Sequence, residues 1–282
     1  MRNALQGNPQ IEPDDATLVD ELLEVSIQAA TVAARVIRES APELEKLEWI
    51  EKAAMDFVTE VDRGAESAII TTVKSEFPKA IIVGEELSPD GDVGSSDVTF
   101  IIDPLDGTTN FLHGYPHFSV SIGVTHRSRL VSAVVLNVPR GDLFTAKLGK
   151  GAQLNGTSVT VSSIDSTSRA LIGTGFPFKN PDLLEVYARQ FVRVSRSTAG
   201  IRRAGSAALD LADVACGRFD GFWELVLAPW DVAAGMLLVT EAGGIVTDLN
   251  GSSVTPRHGA YVAGNPRIHS WLVQTVQAEG DT

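Results

Sequence analysis

Carboxylates occur at three places in the sequence where an apolar strand ends or a helix begins. Gly84-Glu85-Glu86 follows the apolar run Ile81 to Val83, and Asp103-Pro104-Leu105-Asp106 follows the run Phe100 to Ile102. The third place is Pro229-Trp230-Asp231, which opens an alanine-rich segment. Chemistry in α/β proteins is placed at strand ends, because the rigid strand fixes where the side chains of the following loop point. Carboxylates that meet at such places are typical ligands of a hard divalent cation.

The segment after Asp103 carries the most specific pattern. Pro104 has no N–H and a fixed φ, so the chain must leave the strand sharply after Asp103. Such a turn can point Asp103 and Asp106 the same way and turn the Leu105 carbonyl inward, which gives an all-oxygen half-site for a cation. Gly107-Thr108-Thr109 follows directly, and the N–H groups of a helix beginning there would face an anion on the metal. The segment therefore predicts a cation site beside a phosphate site.

Three other interpretations of this segment have to be weighed. Asp103 and Asp106 could simply cap a turn, since Asp-Gly is a common turn pair. A calcium EF-hand loop needs alternating acids, a central glycine and a glutamate at its twelfth position, which the residues around Asp103 do not supply. A phosphatase of the haloacid dehalogenase type uses a nucleophilic Asp in an Asp-x-Asp pattern, whereas the spacing here is Asp-x-x-Asp with a proline inside. This spacing favours a bridging metal ligand.

Composition narrows the class of protein. The chain has 282 residues, 23 basic against 36 acidic side chains, a net charge of −13 and one cysteine, Cys216. A lone cysteine excludes a disulfide framework and a Cys-based zinc site. The acidic balance argues against nucleic acid as the main partner, because Lys and Arg drive phosphate binding. The polar N-terminus does not resemble a signal peptide, and no apolar run approaches the roughly 18–20 residues that span a bilayer. We therefore expect a cytoplasmic protein without a membrane partner.

The periodicity of apolar residues predicts an α/β protein made of two fused halves. In the first half it predicts helices over Ala16–Ser40 and Asp62–Phe77, followed by strands in an antiparallel meander. In the second half helices and strands alternate, which is typical of a layered α/β arrangement. We divide the chain into a flexible N-terminal arm (1–15), an α+β half with the metal-binding loops (16–165) and an α/β half that completes the active site (166–282).

Five segments of the chain, in order, resemble motifs of the inositol monophosphatase family. They are Asp56-Phe57-Val58-Thr59-Glu60-Val61-Asp62, Gly84-Glu85-Glu86, Ile102 to Phe111, Gly205-Ser206-Ala207-Ala208-Leu209-Asp210 and Trp230-Asp231-Val232-Ala233-Ala234-Gly235. The stretches 174–178 and 220–231 are most similar to bacterial inositol monophosphatases. The resemblance implies a layered α-β-α-β-α sandwich of the inositol monophosphatase and fructose-1,6-bisphosphatase type. It also implies a homodimer and inhibition by lithium.

The resemblance further implies Mg²⁺-dependent hydrolysis of a phosphate monoester, with inositol 1-phosphate as the expected substrate. Two or three Mg²⁺ ions per subunit are expected. Glu85, Asp103 and the Leu105 carbonyl would hold the first ion. Asp103, Asp106 and Asp231 would hold the second, and Glu85 would contribute to a third.

Catalytic and substrate-binding roles follow from the same resemblance. Thr108 and Asp62 would position the attacking water and take its proton, so that Asp62, Thr108 and Glu85 form the expected catalytic set. Glu224, seven residues before Asp231, matches a family glutamate that binds inositol hydroxyls; the alternative is a solvated strand end, and the neighbouring matches favour the site. The expected substrate contacts are Asp106, Gly107, Thr108, Thr109, Ser206, Ala207, Glu224 and Asp231.

Two alternatives to inositol 1-phosphate hydrolysis stay open at this level. One is another activity of the superfamily, on histidinol phosphate, fructose 1,6-bisphosphate, NADP or a nucleotide bisphosphate, which would differ around Glu224 and Phe176 to Asn180. The other is a regulatory or scaffolding protein whose catalysis is secondary. It would bind its partners through the one basic concentration, Arg189, Arg193, Arg196, Arg202 and Arg203, which a solvated helix face would also explain.

Overall fold

The computed structural model describes residues 13–46, 50–53, 56–89, 97–178 and 180–277. Most of the predicted N-terminal arm lies outside these ranges, and the first helix begins at Pro13. The α-helices in the described ranges are α1 (Pro13–Ser40), α2 (Glu60–Glu76), α3 (Thr108–Leu112), α4 (Leu184–Ser195), α5 (Ala207–Ala215), α6 (Pro229–Glu241) and α7 (Pro266–Gln277). The predicted helices over Ala16–Ser40 and Asp62–Phe77 are confirmed as α1 and α2, each with slightly shifted ends.

Strands occupy both halves of the described chain. The strands of the first half are β1 (Ile50–Ala53), β2 (Asp56–Val58), β3 (Ile81–Gly84), β4 (Val98–Asp106), β5 (Ser119–His126), β6 (Arg129–Asn137), β7 (Leu143–Lys147), β8 (Gly151–Leu154) and β9 (Thr157–Val159). Those of the second half are β10 (Leu171–Thr174), β11 (Gly200–Arg202), β12 (Gly221–Leu227), β13 (Ile245–Thr247) and β14 (Gly259–Gly264).

In the first large sheet the strands β3 to β9 lie side by side in chain order. β3 pairs with β4 in parallel, and every later neighbour is antiparallel, which confirms the predicted meander and extends it by β8 and β9. The second sheet has the order β11-β10-β12-β14-β13, in which β10 is parallel to both of its neighbours. β1 and β2 form a separate hairpin beside α2.

The elements stack in five layers. α1 and α2 cover one face of the first sheet, α5 and α6 lie between the two sheets, and α4 and α7 cover the outer face of the second sheet. Three apolar clusters fill the spaces between successive layers. The predicted α-β-α-β-α sandwich is therefore confirmed. None of the helices in the described part of the chain combines the length and the apolar run that crossing a bilayer requires.

The apolar stripe of α1 differs in part from its sequence-based prediction. The spacing Leu18, Leu22, Val25, Ala29, Val32, Val36 predicts the buried face, and Leu22, Val25 and Ala29 are buried as expected. Towards its end, however, the helix buries Ala33 and Ile37 instead of Val32 and Val36. The small alanines lie inward because α1 packs closely against both α2 and the sheet.

Candidate active site

A cleft of about 370 Å³ contains the predicted acidic residues together with an aromatic group. Glu85, Asp106 and Asp231 line it, and we call these three together with Asp103 the acidic set. Phe176, Phe178, Arg203 and Glu224 also line the cleft, and we call them the aromatic set. The remaining lining residues are Gly175, Pro177, Gly205, Ser206, Ala207, Val226, Leu227, Ala228, Trp230 and His258. The cleft therefore draws on both halves of the chain.

A β-bulge at the end of β4 turns Asp103 and Asp106 to the same face of the sheet. Residues three apart on a regular strand point to opposite faces. Here Asp103 pairs with Ser121 and Asp106 with Ser119, so three steps on β4 match two steps on β5. Ser119 and Ser121 share a face, and their partners share it with them. This is the outcome that the proline after Asp103 predicts.

That face of the sheet looks toward the start of α6. Ile101, two residues before Asp103 and therefore on the same face, packs in one cluster with Trp230 and Ala233 of α6. Asp231 follows Trp230 directly, as the third residue of α6. The carboxylate at a helix start and the carboxylate at a strand end are thus brought together across two layers of the fold.

The pKa of Asp103 shows that the four carboxylates of the acidic set lie close enough to repel one another. Burial, followed by the negative charges of Glu85, Asp106 and Asp231, raises the pKa of Asp103 well above its usual range. An all-oxygen set of this kind, in which one carboxyl is only 2 % exposed, suits a hard divalent cation that would offset the repulsion. No group of three or more carboxylate, imidazole or thiol side chains within the described ranges is gathered tightly enough to enclose a metal ion as it stands. Like charges repel, so a bound cation has to draw these side chains closer together.

Hydrogen bonds from the backbone fix the acids that line the cleft. Asp106 Oδ2 accepts from the Ser206 hydroxyl (2.6 Å) and from the Ala208 N–H (2.8 Å) at the start of α5. Asp231 Oδ2 accepts from the Ala228 N–H (2.7 Å), which is the reciprocal half of a helix-capping arrangement. Each carboxylate satisfies a donor at a helix start, where a negative charge is favourable. Both carboxylates are therefore anchored at helix starts.

The predicted catalytic pair, Asp62 and Thr108, is joined directly. The Thr108 hydroxyl lies 2.9 Å from Asp62 Oδ1 and 3.1 Å from the Leu105 carbonyl. Asp62 Oδ2 accepts from the backbone N–H and the hydroxyl of Thr59, at 2.9 and 2.6 Å. Burial raises the pKa of Asp62, while the hydrogen bonds from Thr59 and Thr108 oppose that rise.

The predicted phosphate loop, Gly107 to Thr109, follows Asp106 directly, but its three residues are not among those that line the cleft. Gly107 and Thr108 are partly buried and Thr109 is exposed, at the start of α3. The Asn110 side chain ties this loop to the second half of the chain, because its amide donates to the carbonyls of His117 (2.6 Å) and Ala204 (2.9 Å).

The aromatic set is assembled by ring contacts. The Arg203 guanidinium lies 5.4 Å from the ring centre of Phe176 and 5.5 Å from that of Phe178, a cation–π arrangement with both rings. A Cβ at Gly175 would collide with the Glu224 carboxylate, so only glycine lets that side chain lie against the backbone there. Burial and the charge of Asp231 raise the pKa of Glu224 to about 8, and Arg203 opposes this rise. Glu224 lies within β12 and not at its end, which removes the solvated strand end as its explanation.

Ser206 was predicted as a substrate contact, but in the structure its side chain binds other groups of the protein. Its hydroxyl is buried and is engaged with Asp106, and it also caps α5 through the Leu209 N–H. Ser206 and Ala207 both line the cleft, so a contact of this segment with substrate stays a prediction.

Sequence reasoning missed three cleft-shaping roles. Arg203 appeared only as part of a basic concentration, Asn110 only as part of a motif, and His258 not at all. His258 lines the cleft and its ring meets Trp230 edge-on, with ring centres 5.7 Å apart. No local pattern points to Arg203 or His258, because their partners in the cleft lie about 25 residues away in the sequence.

Comparison with known proteins agrees with this geometry. The family model for the inositol monophosphatase family matches residues 18–281. A protein of Pseudomonas aeruginosa named Nus factor SuhB is 47 % identical over 259 residues, which cover 91 % of this chain and 96 % of that protein. The crystal structure of the extragenic suppressor protein suhB from Bartonella henselae superposes with a TM-score of 0.86 at 39 % identity, covering 92 % of this chain and 100 % of that one.

An enzyme structure matches almost as well. The inositol monophosphatase from Anabaena (Nostoc) sp. PCC 7120 superposes with a TM-score of 0.80 at 34 % identity, covering 92 % of this chain and 96 % of that one. The family match spans nearly the whole chain and includes every residue of the acidic set. The chain belongs to the inositol monophosphatase family.

Proposed function

We propose that this protein is a Mg²⁺-dependent phosphate monoester hydrolase that converts inositol 1-phosphate and water to myo-inositol and phosphate. The observation that carries the proposal is the burial of Asp103 among the carboxylates of Glu85, Asp106 and Asp231. Buried like charges are costly unless a cation compensates them. The similarity to the Anabaena inositol monophosphatase supports inositol as the alcohol.

The acidic set supplies the ligands for the metal ions. Glu85, Asp103 and the Leu105 carbonyl would hold one Mg²⁺, and Asp103, Asp106 and Asp231 a second, with Glu85 contributing to a third. When bound, the ions polarise the phosphate and stabilise the negative charge on the attacking and leaving oxygens. Mg²⁺ keeps several of its waters, so four carboxylates suffice for two or three ions.

Asp62 and Thr108 position the attacking water and accept its proton. When the Thr108 hydroxyl donates to Asp62 at 2.9 Å, its oxygen keeps two lone pairs as acceptors, and one of them would accept a hydrogen bond from the attacking water. A proton from the water passes to the Thr108 oxygen while the Thr108 proton passes to Asp62. The raised pKa of Asp62 makes this carboxylate a better base than an exposed aspartate.

Glu224 recognises the alcohol. Its partly buried carboxylate accepts hydrogen bonds from hydroxyl groups of the substrate, and Phe176 and Phe178 line the same cleft. Gly107 and Thr109 offer backbone N–H groups to the phosphate oxygens from the loop at the start of α3. Substrate contacts are thus expected from both halves of the chain.

The test is a substrate comparison with the purified protein. We expect Mg²⁺-dependent phosphate release from inositol 1-phosphate at a kcat/KM at least tenfold above that for histidinol phosphate or fructose 1,6-bisphosphate. Preference for one of the other esters would support the proposed reaction but assign it a different alcohol. No release from any ester in Mg²⁺ would contradict the proposal.

We also propose a homodimer and inhibition by lithium, as properties of the family. Light scattering coupled to gel filtration would give twice the chain mass for a dimer. Inhibition by lithium is measured as the decrease in phosphate release in millimolar LiCl, with NaCl as the matched control.

A second candidate function is a role in transcription, which the name Nus factor attaches to the Pseudomonas relative. The observation that favours it is the outer face of α4, where Leu184, Val186 and Val192 are exposed beside Arg189. Arg193 does not belong to this surface, because its guanidinium binds the Thr275 carbonyl at 2.9 Å near the end of α7. The basic concentration therefore divides into a structural residue, Arg193, a cleft residue, Arg203, and solvent-facing residues that include Arg189.

An in vitro antitermination assay separates the two candidates. If this role belongs to the α4 face, an Arg189→Glu, Val192→Glu variant loses its effect on transcription and keeps phosphatase activity. An Asp103→Asn variant shows the reverse. Loss of both functions in either variant would contradict the separation.

A further inference from the structure

We propose that Glu66 is a positioning residue for cation binding, because it fixes the loop that presents Glu85 to the cleft. The inference rests on the proposed function, since it concerns the same metal ions. Glu66 is not among the residues that line the cleft. It acts through the backbone of the neighbouring loop.

Glu66 is a fully buried carboxylate in the middle of α2, with 0 % of its surface exposed. Its Oε2 accepts from the Glu86 N–H at 2.8 Å, and its Oε1 accepts from the Leu87 N–H at 3.0 Å. The two peptide groups that follow Glu85 are therefore both held by one side chain. Bonds of this kind to a charged acceptor are among the stronger hydrogen bonds in proteins.

Gly84, the residue before Glu85, is shaped to admit this carboxylate. A Cβ at Gly84 would collide with the Glu66 carboxylate and would lie 2.9 Å from Cγ1 of Ile102. The Gly84 N–H in turn donates to the Ser88 carbonyl at 3.1 Å, which closes the loop behind Glu85. Glu85 is thus flanked on both sides by backbone whose position Glu66 determines.

The same helix also orients the proposed catalytic base. Asp62 precedes Glu66 by four residues, which is about one helical turn and places both on one face. Asp62 binds Thr108 of the loop after β4, and Glu66 binds the loop after β3. One face of α2 therefore sets the relative position of the two loops that carry Glu85 and Thr108.

Glutamine at position 66 would keep the size of the side chain and disrupt this arrangement. A carboxylate offers two acceptor oxygens to the two N–H groups, whereas an amide offers one oxygen and turns an NH₂ group toward the other donor. The loop would lose one of its two anchors, and Glu85 would have to be ordered when the cation binds. Groups that orient metal ligands typically contribute 10–100-fold to metal affinity.

The experiment compares Mg²⁺ binding to the metal-stripped wild type, Glu66→Gln and a matched control, by calorimetry. Glu76→Gln is the control, since it makes the same change at an exposed position of the same helix. We expect a Kd for Mg²⁺ about 10–100-fold higher in Glu66→Gln and unchanged in Glu76→Gln. We also expect the half-saturating Mg²⁺ concentration for turnover to rise in parallel, while kcat at saturating Mg²⁺ stays within about threefold of wild type.

A Glu66→Gln variant that binds Mg²⁺ as tightly as wild type would overturn the inference and leave the proposed function intact. A wild type that binds no Mg²⁺ would overturn both. If Glu66→Gln does not fold, Gly84→Ala decides, because it displaces the same loop by pushing against the same carboxylate. Unchanged Mg²⁺ affinity in a folded Gly84→Ala variant would equally overturn the inference.

Discussion

The acidic set and the aromatic set share one cleft but are held in place by different means. Asp106 and Asp231 each accept backbone N–H groups at helix starts, and a β-bulge fixes the side on which Asp103 lies. Arg203, Phe176 and Phe178 are held by ring contacts, and Phe176 is 44 % exposed. The acidic set is therefore set by main-chain geometry, and the aromatic set by side-chain packing.

This difference separates the chemistry of the cleft from its selectivity. Main-chain anchors leave little freedom, as the transfer of a phosphoryl group requires when several charged groups must act on one phosphorus atom. Exposed side chains can be replaced without disturbing the layers of the fold. We therefore expect changes in the acidic set to lower kcat, and changes in the aromatic set to alter KM and substrate preference.

The largest effect is expected from Asp103→Asn. In the proposed site this change removes a ligand shared by two ions, so kcat with inositol 1-phosphate should fall by about 10³-fold or more. Because the asparagine no longer repels Glu85, Asp106 and Asp231, the metal-free variant should melt at a higher temperature than metal-free wild type. Circular dichroism and steady-state kinetics measure the two changes, and near-normal turnover would break the distinction between the two sets.

The next largest effect is expected from Thr108→Val, which keeps the shape of the side chain and removes the hydroxyl bound to Asp62. A lost proton-transfer group typically costs about 10²-fold or more in rate, so kcat should drop by roughly that factor with little change in KM. Thr108→Ser retains the hydroxyl and serves as the matched control. Equal losses in both variants would assign Thr108 a packing role.

A smaller effect, of a different kind, is expected from Glu224→Gln. Glutamine keeps one acceptor oxygen and replaces the other with an NH₂ group, so KM for inositol 1-phosphate should rise by about tenfold and kcat should change by less than threefold. Glu185→Gln, at a fully solvent-facing position of α4, is the control. A fall in kcat as large as that of Thr108→Val would show that the aromatic set takes part in the chemistry.

The smallest effect concerns the pH dependence of stability. The pKa of Glu224 rises from about 4.5 in the unfolded chain to about 8 in the fold, so the folded state binds the proton more tightly. The stabilisation is complete below about pH 4.5 and is lost as the pH rises through about 8. Between pH 5 and 9, the melting temperature of the metal-free wild type should therefore fall more than that of Glu224→Gln, by roughly a few degrees. If the melting temperatures of the two proteins change by the same amount across this range, Glu224 is more solvated than its raised pKa implies.

Local patterns predicted the acidic set well, because each of its members lies beside a chain-breaking signal. Pro104 after Asp103 and Pro229 before Asp231 both mark where an element ends or begins. Proline acts through its own ring, so its effect can be read without knowledge of distant residues. The helices α1 and α2 were predicted for the same reason, since helical periodicity is a local property.

Long-range pairing explains what local patterns missed. β12 continues through Glu224 to Leu227, although this charged side chain interrupts the apolar run that precedes it. Its pairing with β14, including Glu224 opposite Tyr261, outweighs the polarity of one side chain. Short strands such as β8, β9 and β11 depend on their neighbours in the same way.

Glu66 shows most clearly what local sequence patterns cannot predict. In the sequence it is one of two acids four residues apart in a helix, and a charged helical residue ordinarily faces solvent. Only the approach of the loop after β3 gives it two donors and excludes water from it. A residue whose role depends on a segment about twenty positions away leaves no signature in its own surroundings.

The place of α6 between the two sheets has a consequence for the order in which the protein becomes active. α6 contacts β5 and β6 on one side and β13 on the other, and it carries Asp231 at its start. During synthesis Glu85, Asp103 and Asp106 leave the ribosome more than a hundred residues before Asp231. The nascent chain therefore lacks one member of the acidic set until its final quarter is made, so the proposed cation site cannot be complete before most of the second half has been synthesised.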